Sequence, residues 1–367
     1  MRAGVEMGVR RGEALVSETV ARRRRARRSG AGHWGPASDG DGGSGGAKPP
    51  GQRMSTPQLT PAVPTRFLSI DDLTYDELQA CLRLAAELKA ARAAGIPHEQ
   101  PLAGKHIALL FEKPSLRTRS TFQIAVRELG GNLIEPPREE VFGERETIAD
   151  VARNLERWVY GAVVRTYAQA RLEAFAAAAP RLRVVNALTD EEHPCQALAD
   201  CLTLSEKLRD LPGRTIAFVG DGNNVVTSLA QAALLLGVNV RVASPRGFEL
   251  SPRLRERIES RARLGARLTL TTDPVAAVQD ADAVYTDVWT SMGQEAEAAG
   301  RHQVFGAFQV NAALMAHPAS DALFMHCLPA HRGEEVTSEI LDSEASVVFD
   351  QAENRLHTQK ALLAMLA

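Results

Sequence analysis

Short apolar segments alternate with longer amphipathic segments from about residue 65 to the C-terminus. Apolar runs of about 4–8 residues bounded by polar residues or glycine are typical of buried strands in a parallel sheet. Apolar residues that recur every three or four positions between those runs are typical of helices packed on such a sheet. In the first half of this region, the pattern predicts strands at His106–Phe111, 132–135, Gly161–Arg165 and 182–187.

The helices of the first half have recognisable start and stop signals. Thr74, with Glu77 three residues later, forms a capping box that predicts a helix start. One face of that helix is marked by Leu78, Leu82, Ala85 and Leu88. Further helices are predicted after residue 115, around 148–155, in the alanine-rich segment after Arg165, and at 196–208, with a polar loop at 136–145.

The second half repeats the alternation after a predicted hinge at Pro212-Gly213. Strands are predicted at Thr215–Val219, Asn239–Ala243, 267–270, Ala283–Thr286 and 323–325. Helices are predicted at 226–236, 253–264 and 274–279, with a last helix that carries Glu353-Asn354-Arg355 at its start. Strands that alternate with helices indicate βαβ units and parallel sheets.

We therefore expect an α/β protein with two domains, each a parallel sheet flanked by helices. The predicted ranges are 1–53 for a leader, 65–205 for a first domain, 206–349 for a second domain, and 350–367 for a C-terminal helix that returns to the first domain. In such folds ligands bind at the carboxyl ends of the strands, which is where the candidate chemistry lies.

The leader at 1–53 differs in composition from the rest of the chain. It contains Arg22-Arg23-Arg24-Arg25, followed by sequence rich in Gly, Ser, Asp and Pro, and it is too polar to build a core. It is interpretable as a transit peptide, as a basic arm for nucleic acid, or as sequence upstream of a true start at Met54. We favour the last interpretation, because the folded pattern starts soon after Met54 and the acidic residues in the leader are atypical of transit peptides.

Composition narrows the class of protein. The 367 residues, with 44% hydrophobic and 24% charged residues, are typical of a soluble globular protein with a net charge of −2. We expect no nucleic-acid partner and no membrane partner, since there is neither a strong charge excess nor an apolar run of about 20 residues. Four cysteines without a CxxC pair favour a reducing compartment, and we expect a cytoplasmic protein.

The most informative stretch is the corner that follows the first long strand. Ser115 lies where a helix N-cap belongs, and the free amides and dipole of a helix start attract anions. Arg117 and Arg119 add planar cationic donors that suit phosphate oxygens. The alternative interpretation is a capped helix with two solvated arginines.

Two other loops carry polar residues at strand ends. His193-Pro194-Cys195-Gln196 places an imidazole and an amide that can both donate to a carbonyl oxygen. Gly220-Asp221-Gly222-Asn223-Asn224 looks like a dinucleotide fingerprint, but it lacks the third glycine and the acidic residue after the next strand. Asn223 and Asn224 instead suit a small carboxylate or amide.

The last two strands of the second domain end in Asp287 and Cys327. Asp287 can hold an ammonium group, and Ser291 with the Met292-Gly293 backbone can complete a small amino-acid site. Cys327, in His326-Cys327-Leu328-Pro329, is interpretable as a nucleophile, a base, a metal ligand or polar packing. A zinc site is disfavoured, because Cys-x3-His has no second cysteine pair to support it.

Five motifs in a fixed order identify a resemblance. The chain resembles the aspartate/ornithine carbamoyltransferase family from about residue 65 to its end, and the Ser-Met-Gly and His-Cys-Leu-Pro sequences favour ornithine over aspartate as the acceptor. The motifs are Ser-Leu-Arg-Thr-Arg at 115–119, His-Pro-Cys-Gln at 193–196, Gly-Asp-Gly-Asn-Asn at 220–224, Asp-Val-Trp-Thr-Ser-Met-Gly at 287–293 and His-Cys-Leu-Pro at 326–329.

The resemblance implies that carbamoyl phosphate binds the first domain. It assigns the phosphate to the backbone of 115–118 and to Arg117 and Arg355, while Arg119 is expected to form an internal ion pair. The carbamoyl oxygen would face Thr118, Arg165 and His193, and the carbamoyl amino group would face Gln196 and the Leu328 carbonyl. The implied carbamoyl-phosphate set is Ser115, Leu116, Arg117, Thr118, Arg165, His193, Gln196, Cys327, Leu328 and Arg355.

The resemblance also implies an L-ornithine site in the second domain. Asn224, alone or with Asn223, would bind the α-carboxylate, whereas Asp287, Ser291 and Met292 would bind the α-ammonium group. The δ-amine attacks only when neutral, so Cys327, steered by Asp287, is the candidate that orients the amine and accepts its proton. The implied catalytic residues are Cys327, His193 and Arg165, with no metal, organic cofactor or covalent thioester.

The chain departs from the family pattern in two places. Leu116 stands where many members have threonine, and little loss is expected because that contact is largely backbone. The loop at 136–145 has no secure register for the residue that, in many relatives, reaches a neighbouring active site; Val141 is unsuited to that task, while Arg145 is suited to it. The resemblance implies a homotrimer or a multiple of trimers.

Two other functions remain open from the sequence. One is carbamoyl transfer to another amine, such as putrescine or N-acetylornithine, although an acylated substrate has no α-ammonium group for Asp287. The other is a nucleotide-binding or non-enzymatic module. The incomplete glycine fingerprint disfavours nucleotide binding, and the full set of polar motifs disfavours a non-enzymatic binding protein. Biosynthetic and catabolic directions would use the same site.

Overall fold

The computed structural model describes residues 65–290 and 298–367. The predicted leader at 1–53 and the start at Met54 lie outside the described residues, as do Ser291 and Met292 of the predicted acceptor loop. Within these two ranges, no helix combines the length and the apolar character needed to cross a membrane.

The first sheet has five parallel strands in the order β1-β5-β4-β2-β3. Its central strand β4 is buried at every position, as expected for a strand covered by helices on both faces. The elements of this half are β1 (Arg66–Phe67), α1 (Tyr75–Ala93), β2 (His106–Phe111), α2 (Leu116–Glu128), β3 (Asn132–Ile134), α3 (Arg138–Phe142), α4 (Ile148–Trp158), β4 (Gly161–Arg165), α5 (Gln169–Ala178), β5 (Arg183–Leu188) and α6 (Pro194–Leu208).

The second sheet also has five parallel strands, in the order β10-β9-β6-β7-β8. The two sheets confirm the predicted α/β class with parallel sheets flanked by helices. The elements of this half are β6 (Thr215–Val219), α7 (Asn224–Leu235), β7 (Asn239–Ala243), α8 (Pro252–Glu259), β8 (Leu268–Thr271), α9 (Pro274–Val278), β9 (Ala283–Thr286), α10 (Ala298–Phe305), β10 (Leu323–His326), α11 (Ser338–Leu341) and α12 (Val348–Met365).

One apolar core runs between the two sheets. It includes Phe122 and Leu198 from the first half and Leu229 and Tyr285 from the second. Helices α6 and α7 pack against each other at the centre of this core, where nearly every side chain is buried. The strand ends that carry the candidate chemistry are therefore anchored in a shared interior.

Helix α12 packs against α1, α2 and α6 and so contacts the helices of the first sheet. Its N-terminus is at Val348, so the prediction that Glu353-Asn354-Arg355 starts the helix is wrong. The earlier start places Asn354 and Arg355 within the helix, where both are buried against α6 and α2.

Five strands have the predicted bounds: His106–Phe111, Gly161–Arg165, Thr215–Val219, Asn239–Ala243 and Ala283–Thr286. The segment 136–145, predicted to be a polar loop, contains α3 instead, because Val141 packs into the core beside α4. Helix α8 ends at Glu259 rather than at 264, and Leu264 and Gly265 have the positive φ angles of a turn. Strand β1 was not predicted, because a strand of two residues is too short to leave a pattern in the sequence.

Candidate active site

Ser115 caps helix α2 as predicted. Its Oγ accepts a hydrogen bond from the backbone N–H of Thr118, 3.2 Å away. The amides of Leu116 and Arg117 lie in the same first turn, where a helix offers them no acceptor. The corner therefore presents free donors and the positive end of a helix dipole to an anion.

Three arginine side chains line one cavity beside this corner: Arg117, Arg165 and Arg355. Arg165 is 8% exposed, and its Nε is buried without a hydrogen-bond partner among the described residues. Burial, followed by the nearby charge of Arg355, lowers the pKa of Arg165 to about 10, which leaves the group cationic at neutral pH. Arg355 is also buried and Arg117 is half-buried, and such a cluster of positive charge attracts an anion.

Arg119 serves a different purpose from Arg117. Its Nη1 lies 2.7 Å from Glu135 Oε2, and its guanidinium lies over the Phe111 ring at 4.9 Å. The predicted internal ion pair is confirmed.

His193 is buried at the start of α6. Its backbone N–H donates to Ser228 Oγ at 2.9 Å, and its Nδ1 is buried with no partner among the described residues. Burial lowers the pKa of His193 well below its usual range, and the charges of Arg355, Arg165 and Arg117 lower it further. The imidazole is therefore neutral at physiological pH, with one N–H to donate.

Gln196 lies behind the cavity wall, where both ends of its side-chain amide form hydrogen bonds within the protein. Its Oε1 accepts from Arg355 Nη1 at 2.5 Å, and its Nε2 donates to Asp200 Oδ1 at 2.8 Å. Arg355 Nη2 also donates to Thr118 Oγ1 at 2.9 Å. Gln196 is 1% exposed and in this structure holds Arg355, whereas Thr118 and Arg355 face the cavity.

The two asparagines at the start of α7 already have partners. Asn223 is the N-cap, with Oδ1 accepting from Val225 N and Val226 N, and its Nδ2 donates to Asp287 Oδ2 at 2.7 Å. Asn224 Nδ2 donates to the Thr189 carbonyl at 2.5 Å. Both side chains line the cavity, but their amides are occupied within the protein.

Asp287 and Cys327 meet where strands β9 and β10 end. Cys327 Sγ donates to Asp287 Oδ1 across 2.9 Å. Burial, followed by the charge of Asp287, raises the pKa of Cys327 well above its usual range, so the sulfur keeps its proton at neutral pH. The thiol can therefore take up a substrate proton only as its own proton passes to Asp287, a condition added to the prediction that Cys327, steered by Asp287, accepts the proton of the amine.

The backbone after Cys327 is held by a buried histidine. The N–H of Leu328 donates to His326 Nδ1 at 2.8 Å, and His326 Nε2 lies 3.1 Å from Glu335 Oε1. His326 and Glu335 are both fully buried. These contacts fix the loop that brings Cys327 and Leu328 to the cavity.

The cavity has a volume of about 650 Å³ and brings the predicted carbamoyl-phosphate residues and the predicted ornithine residues together. Of the predicted site residues that the structure describes, all except Gln196 line it. Those lining residues are Ser115, Leu116, Arg117, Thr118, Arg165, His193, Asn224, Asp287, Cys327, Leu328 and Arg355. Ser291 and Met292 lie outside the described residues.

Sequence reasoning assigned no role to Lys113, which also lines the cavity. Its side chain is 6% exposed, its Nζ lies 2.6 Å from Asp190 Oδ1, and it stacks over the Tyr167 ring at 4.1 Å. A lysine between the strand and Ser115 was visible in the sequence, but its burial depends on Tyr167 and Asp190, which are distant along the chain.

The short helix α3 lies within the segment 136–145, in which the residue that would reach a neighbouring active site had no secure register. Val141 is 4% exposed and packs in the first half's core, while Arg145 is exposed. Val141 is thus committed to packing within its own chain.

The donor groups nearest to the cavity are poorly suited to a metal. Asp287, His326 and Cys327 place one ligand atom each within 4.8 Å of one another. Both ring nitrogens of His326 are engaged by Leu328 and Glu335, however, and Cys327 donates to Asp287. A metal would have to break these hydrogen bonds.

The glycine-rich turn before α7 is poorly suited to a dinucleotide phosphate. Asp221, between its two glycines, places a carboxylate at the turn and pairs with Arg301. Asn223 already caps the helix. A pyrophosphate would meet the carboxylate of this Asp221–Arg301 ion pair.

Two family models match the chain. Residues 65–206 match the carbamoyl-P binding domain of aspartate/ornithine carbamoyltransferase, and residues 212–366 match the Asp/Orn binding domain of the same family. The ornithine carbamoyltransferase of Methanocorpusculum labreanum is 48% identical over 301 residues, which are 82% of this chain and 97% of that protein. The ornithine carbamoyltransferase of Thermococcus kodakarensis is 48% identical over 82% of this chain and 95% of that protein.

Solved structures give the same result. The ornithine carbamoyltransferase of Pyrococcus furiosus superposes with a TM-score of 0.80 at 46% identity, over 83% of this chain and 98% of that chain. The enzyme of that name from Thermus thermophilus superposes with a TM-score of 0.75 at 46% identity, over 83% and 99%. The chain belongs to the aspartate/ornithine carbamoyltransferase family.

Proposed function

We propose that this protein transfers the carbamoyl group of carbamoyl phosphate to the δ-amine of L-ornithine, which gives L-citrulline and phosphate. One observation carries the proposal. A cluster of cationic and neutral donors (half-buried Arg117 with buried Arg165 and His193) shares one cavity with a carboxylate–thiol pair suited to an amine (Asp287 and Cys327).

The phosphate would bind the corner at 115–118. The first-turn amides of α2 donate to it, and Arg117 and Arg355 supply charge. Ser115 would keep its cap while its neighbours bind. Leu116, at 78% exposure, contributes backbone rather than side chain.

The carbamoyl oxygen would face Thr118, Arg165 and His193. Negative charge develops on that oxygen as the carbon becomes tetrahedral, and fixed donors there stabilise the transition state. The unpartnered His193 Nδ1 and Arg165 Nε support this assignment, because buried polar atoms without partners are costly unless a ligand completes them. Gln196 and the Leu328 carbonyl would face the carbamoyl amino group, which requires Gln196 to exchange a present hydrogen bond.

L-ornithine would bind the opposite side. Asn224 would receive the α-carboxylate, and Asp287 would receive the α-ammonium group together with Ser291 and Met292. The hydrogen bonds that now join Asn224 to Thr189 and Asn223 to Asp287 would open or shift as the substrate enters.

The reaction would proceed by direct attack. The δ-amine resembles lysine, whose pKa is about 10.4, so it must lose a proton before it attacks. The nitrogen then bonds to the carbamoyl carbon and the carbon–oxygen bond to phosphate breaks. Cys327 would accept the proton that the ammonium group loses before attack, as its own proton moves to Asp287, so the sulfur ends neutral. The second proton that the attacking nitrogen loses would leave with the departing phosphate.

The location, the oligomeric state, the metabolic role and the lack of a cofactor belong to the same proposal. Four free cysteines support a reducing, cytoplasmic location. Family membership supports a homotrimer or a multiple of trimers, a role in arginine biosynthesis or catabolism, and turnover without a metal or organic cofactor.

The test compares acceptors. Purified protein receives carbamoyl phosphate with L-ornithine, putrescine or N-acetylornithine, and the carbamoylated product is measured. Turnover with ornithine alone is expected, because only ornithine offers Asp287 a free α-ammonium group beside an α-carboxylate. A preference for another amine would overturn the acceptor assignment but leave the phosphate assignment intact.

A further inference from the structure

A second carboxylate lies beneath the cavity, on the interior face of α6. Asp200 is fully buried. Its Oδ1 accepts from Gln196 Nε2 at 2.8 Å and from Gln351 Nε2 at 2.7 Å, and its Oδ2 accepts from the Tyr285 hydroxyl at 3.3 Å. These donors come from α6, α12 and β9, so one carboxylate joins both halves of the molecule.

The donors that surround Asp200 are all neutral. Among residues 65–290 and 298–367, the carboxylate forms no ion pair, although Arg355 lies beyond Gln196. A buried carboxylate held only by neutral donors is costly. An uncharged residue would serve packing at lower cost, which argues for a role in the site.

The contacts of Asp200 extend to both sides of the cavity. Gln196 accepts a hydrogen bond from Arg355, and Arg355 also donates to Thr118 at the anion corner. On the other side of the cavity, Tyr285 lies on β9, two residues before Asp287. Gln351 Oε1 accepts from the backbone N–H of His326, the residue before Cys327.

We propose that Asp200 is a positioning residue that sets Gln196 and Arg355 for carbamoyl phosphate and ties them to the strands that carry Asp287 and Cys327. This inference rests on the proposed function. Asp200 touches no substrate and acts through Gln196.

The charge of Asp200 changes in the working range of pH. Burial raises the pKa of Asp200 to about 7, against the opposing hydrogen bonds of Gln196 and Gln351 and the charge of Arg355. The other titratable groups around it are Tyr285, Cys201 and Cys327, whose pKa values burial raises, so these three stay neutral. Protonation of Asp200 removes a negative charge that acts on Arg355, and the phosphate dianion then binds more tightly.

The experiment measures the Kd of freshly prepared carbamoyl phosphate by calorimetry at about pH 6 and about pH 8, on variants whose fold is checked by circular dichroism. Asp200→Ala removes the acceptor for Gln196 and is expected to weaken binding about tenfold at the lower pH, where the wild-type carboxyl is largely protonated. At the higher pH the weakening is expected to be smaller, because the variant also lacks the negative charge of Asp200. Asp200→Asn keeps an acceptor oxygen, so it is expected to match the wild type at the lower pH and bind more tightly than the wild type at the higher pH.

Thr203→Val is the matched control. Thr203 lies on the same helix, is fully buried and accepts from Asn354, the neighbour of Arg355. This variant is expected to lose stability without a change in Kd.

The proposal would be overturned if the folded Asp200→Ala variant had the wild-type Kd at both pH values and the Kd of Asp200→Asn varied with pH as in the wild type. Asp200 would then be merely structural. Failure of the wild type itself to bind carbamoyl phosphate would contradict the proposed function instead, so the two failures are distinguishable.

Discussion

The two sides of the cavity differ in how far their polar groups are already satisfied. On the anion side, Arg165 Nε and His193 Nδ1 are buried without a partner among the described residues. On the amine side, Asn223 binds Asp287, Asp287 binds Cys327, and Asn224 binds the Thr189 carbonyl.

This difference indicates how each substrate is accommodated. A buried polar atom without a partner costs about 1–3 kcal/mol, and a ligand that supplies the partner recovers that cost. The donors that would face the carbamoyl oxygen are therefore placed to receive it with little rearrangement, although Gln196 on the same side must exchange one hydrogen bond. The amine side must exchange existing hydrogen bonds for new ones, so it depends more on the substrate to complete its geometry.

The largest expected effect comes from removing the thiol on the amine side. Cys327→Ala takes away the group that orients the amine and passes its proton to Asp287. We expect turnover to fall about 10²- to 10⁴-fold, the range for proton-transfer groups. Carbamoyl phosphate affinity should change little, and the remaining rate should depend differently on pH, as steady-state kinetics across pH would measure.

Cys81→Ala is the control for the thiol, since Cys81 is buried in the core of α1 away from the cavity. Unchanged kinetics in Cys327→Ala would remove the thiol from the mechanism.

The next largest effect is expected on the anion side. Arg117→Gly removes a charged donor that faces the cavity, and the Kd of carbamoyl phosphate should rise on the order of 100-fold, as expected when about 3 kcal/mol is lost. Calorimetry measures the Kd directly. Near-wild-type affinity would refute the phosphate assignment of this corner.

A smaller effect is expected at the helix start on the amine side. Asn223→Ala removes the cap of α7 and the hydrogen bond to Asp287, which leaves the carboxylate less well oriented. We expect the KM for ornithine to rise about tenfold, as for the loss of one hydrogen bond to a charged group, with a stability loss of about 1 kcal/mol.

Asp273→Ala removes a similar cap from α9 and serves as the control. An equal rise in KM in both variants would indicate a general loss of stability and not an effect on the site.

The smallest effect is expected at Arg119. Its ion pair with Glu135 is partly exposed, and such pairs contribute about 0.2–1 kcal/mol. Arg119→Ala should lower the midpoint of thermal unfolding slightly and leave the Kd of carbamoyl phosphate unchanged. A loss of affinity comparable to that of Arg117→Gly would show that both arginines hold the phosphate.

Local signals predicted much of this architecture. The strand Gly161–Arg165 and the cap at Ser115 were predictable because each depends on neighbouring residues: an apolar run in one case, and a polar residue before a helical pattern in the other. Their place at the strand ends then follows from the topology of parallel sheets.

The rest depends on contacts between distant residues. Gln196 was predicted to face substrate, yet it holds Arg355 from α12, and the sequence gives no sign of that pairing. The burial of Asp200 was unpredictable for the same reason, because a polar residue on a helix is usually solvated. Asp200 is enclosed by contacts with α12 and β9, which are distant along the chain. The helix α3 was missed because a single buried residue, Val141, determines its packing.

The most direct test of the central claim follows nitrogen from acceptor to product. The protein is supplied with carbamoyl phosphate and L-ornithine labelled with nitrogen-15 at the δ position, and products are identified by NMR and phosphate release. The account predicts citrulline with the label in the ureido nitrogen bonded to the side chain, and one phosphate for each citrulline. Phosphate released without labelled citrulline, or carbamoylation of the α-amine, would contradict it.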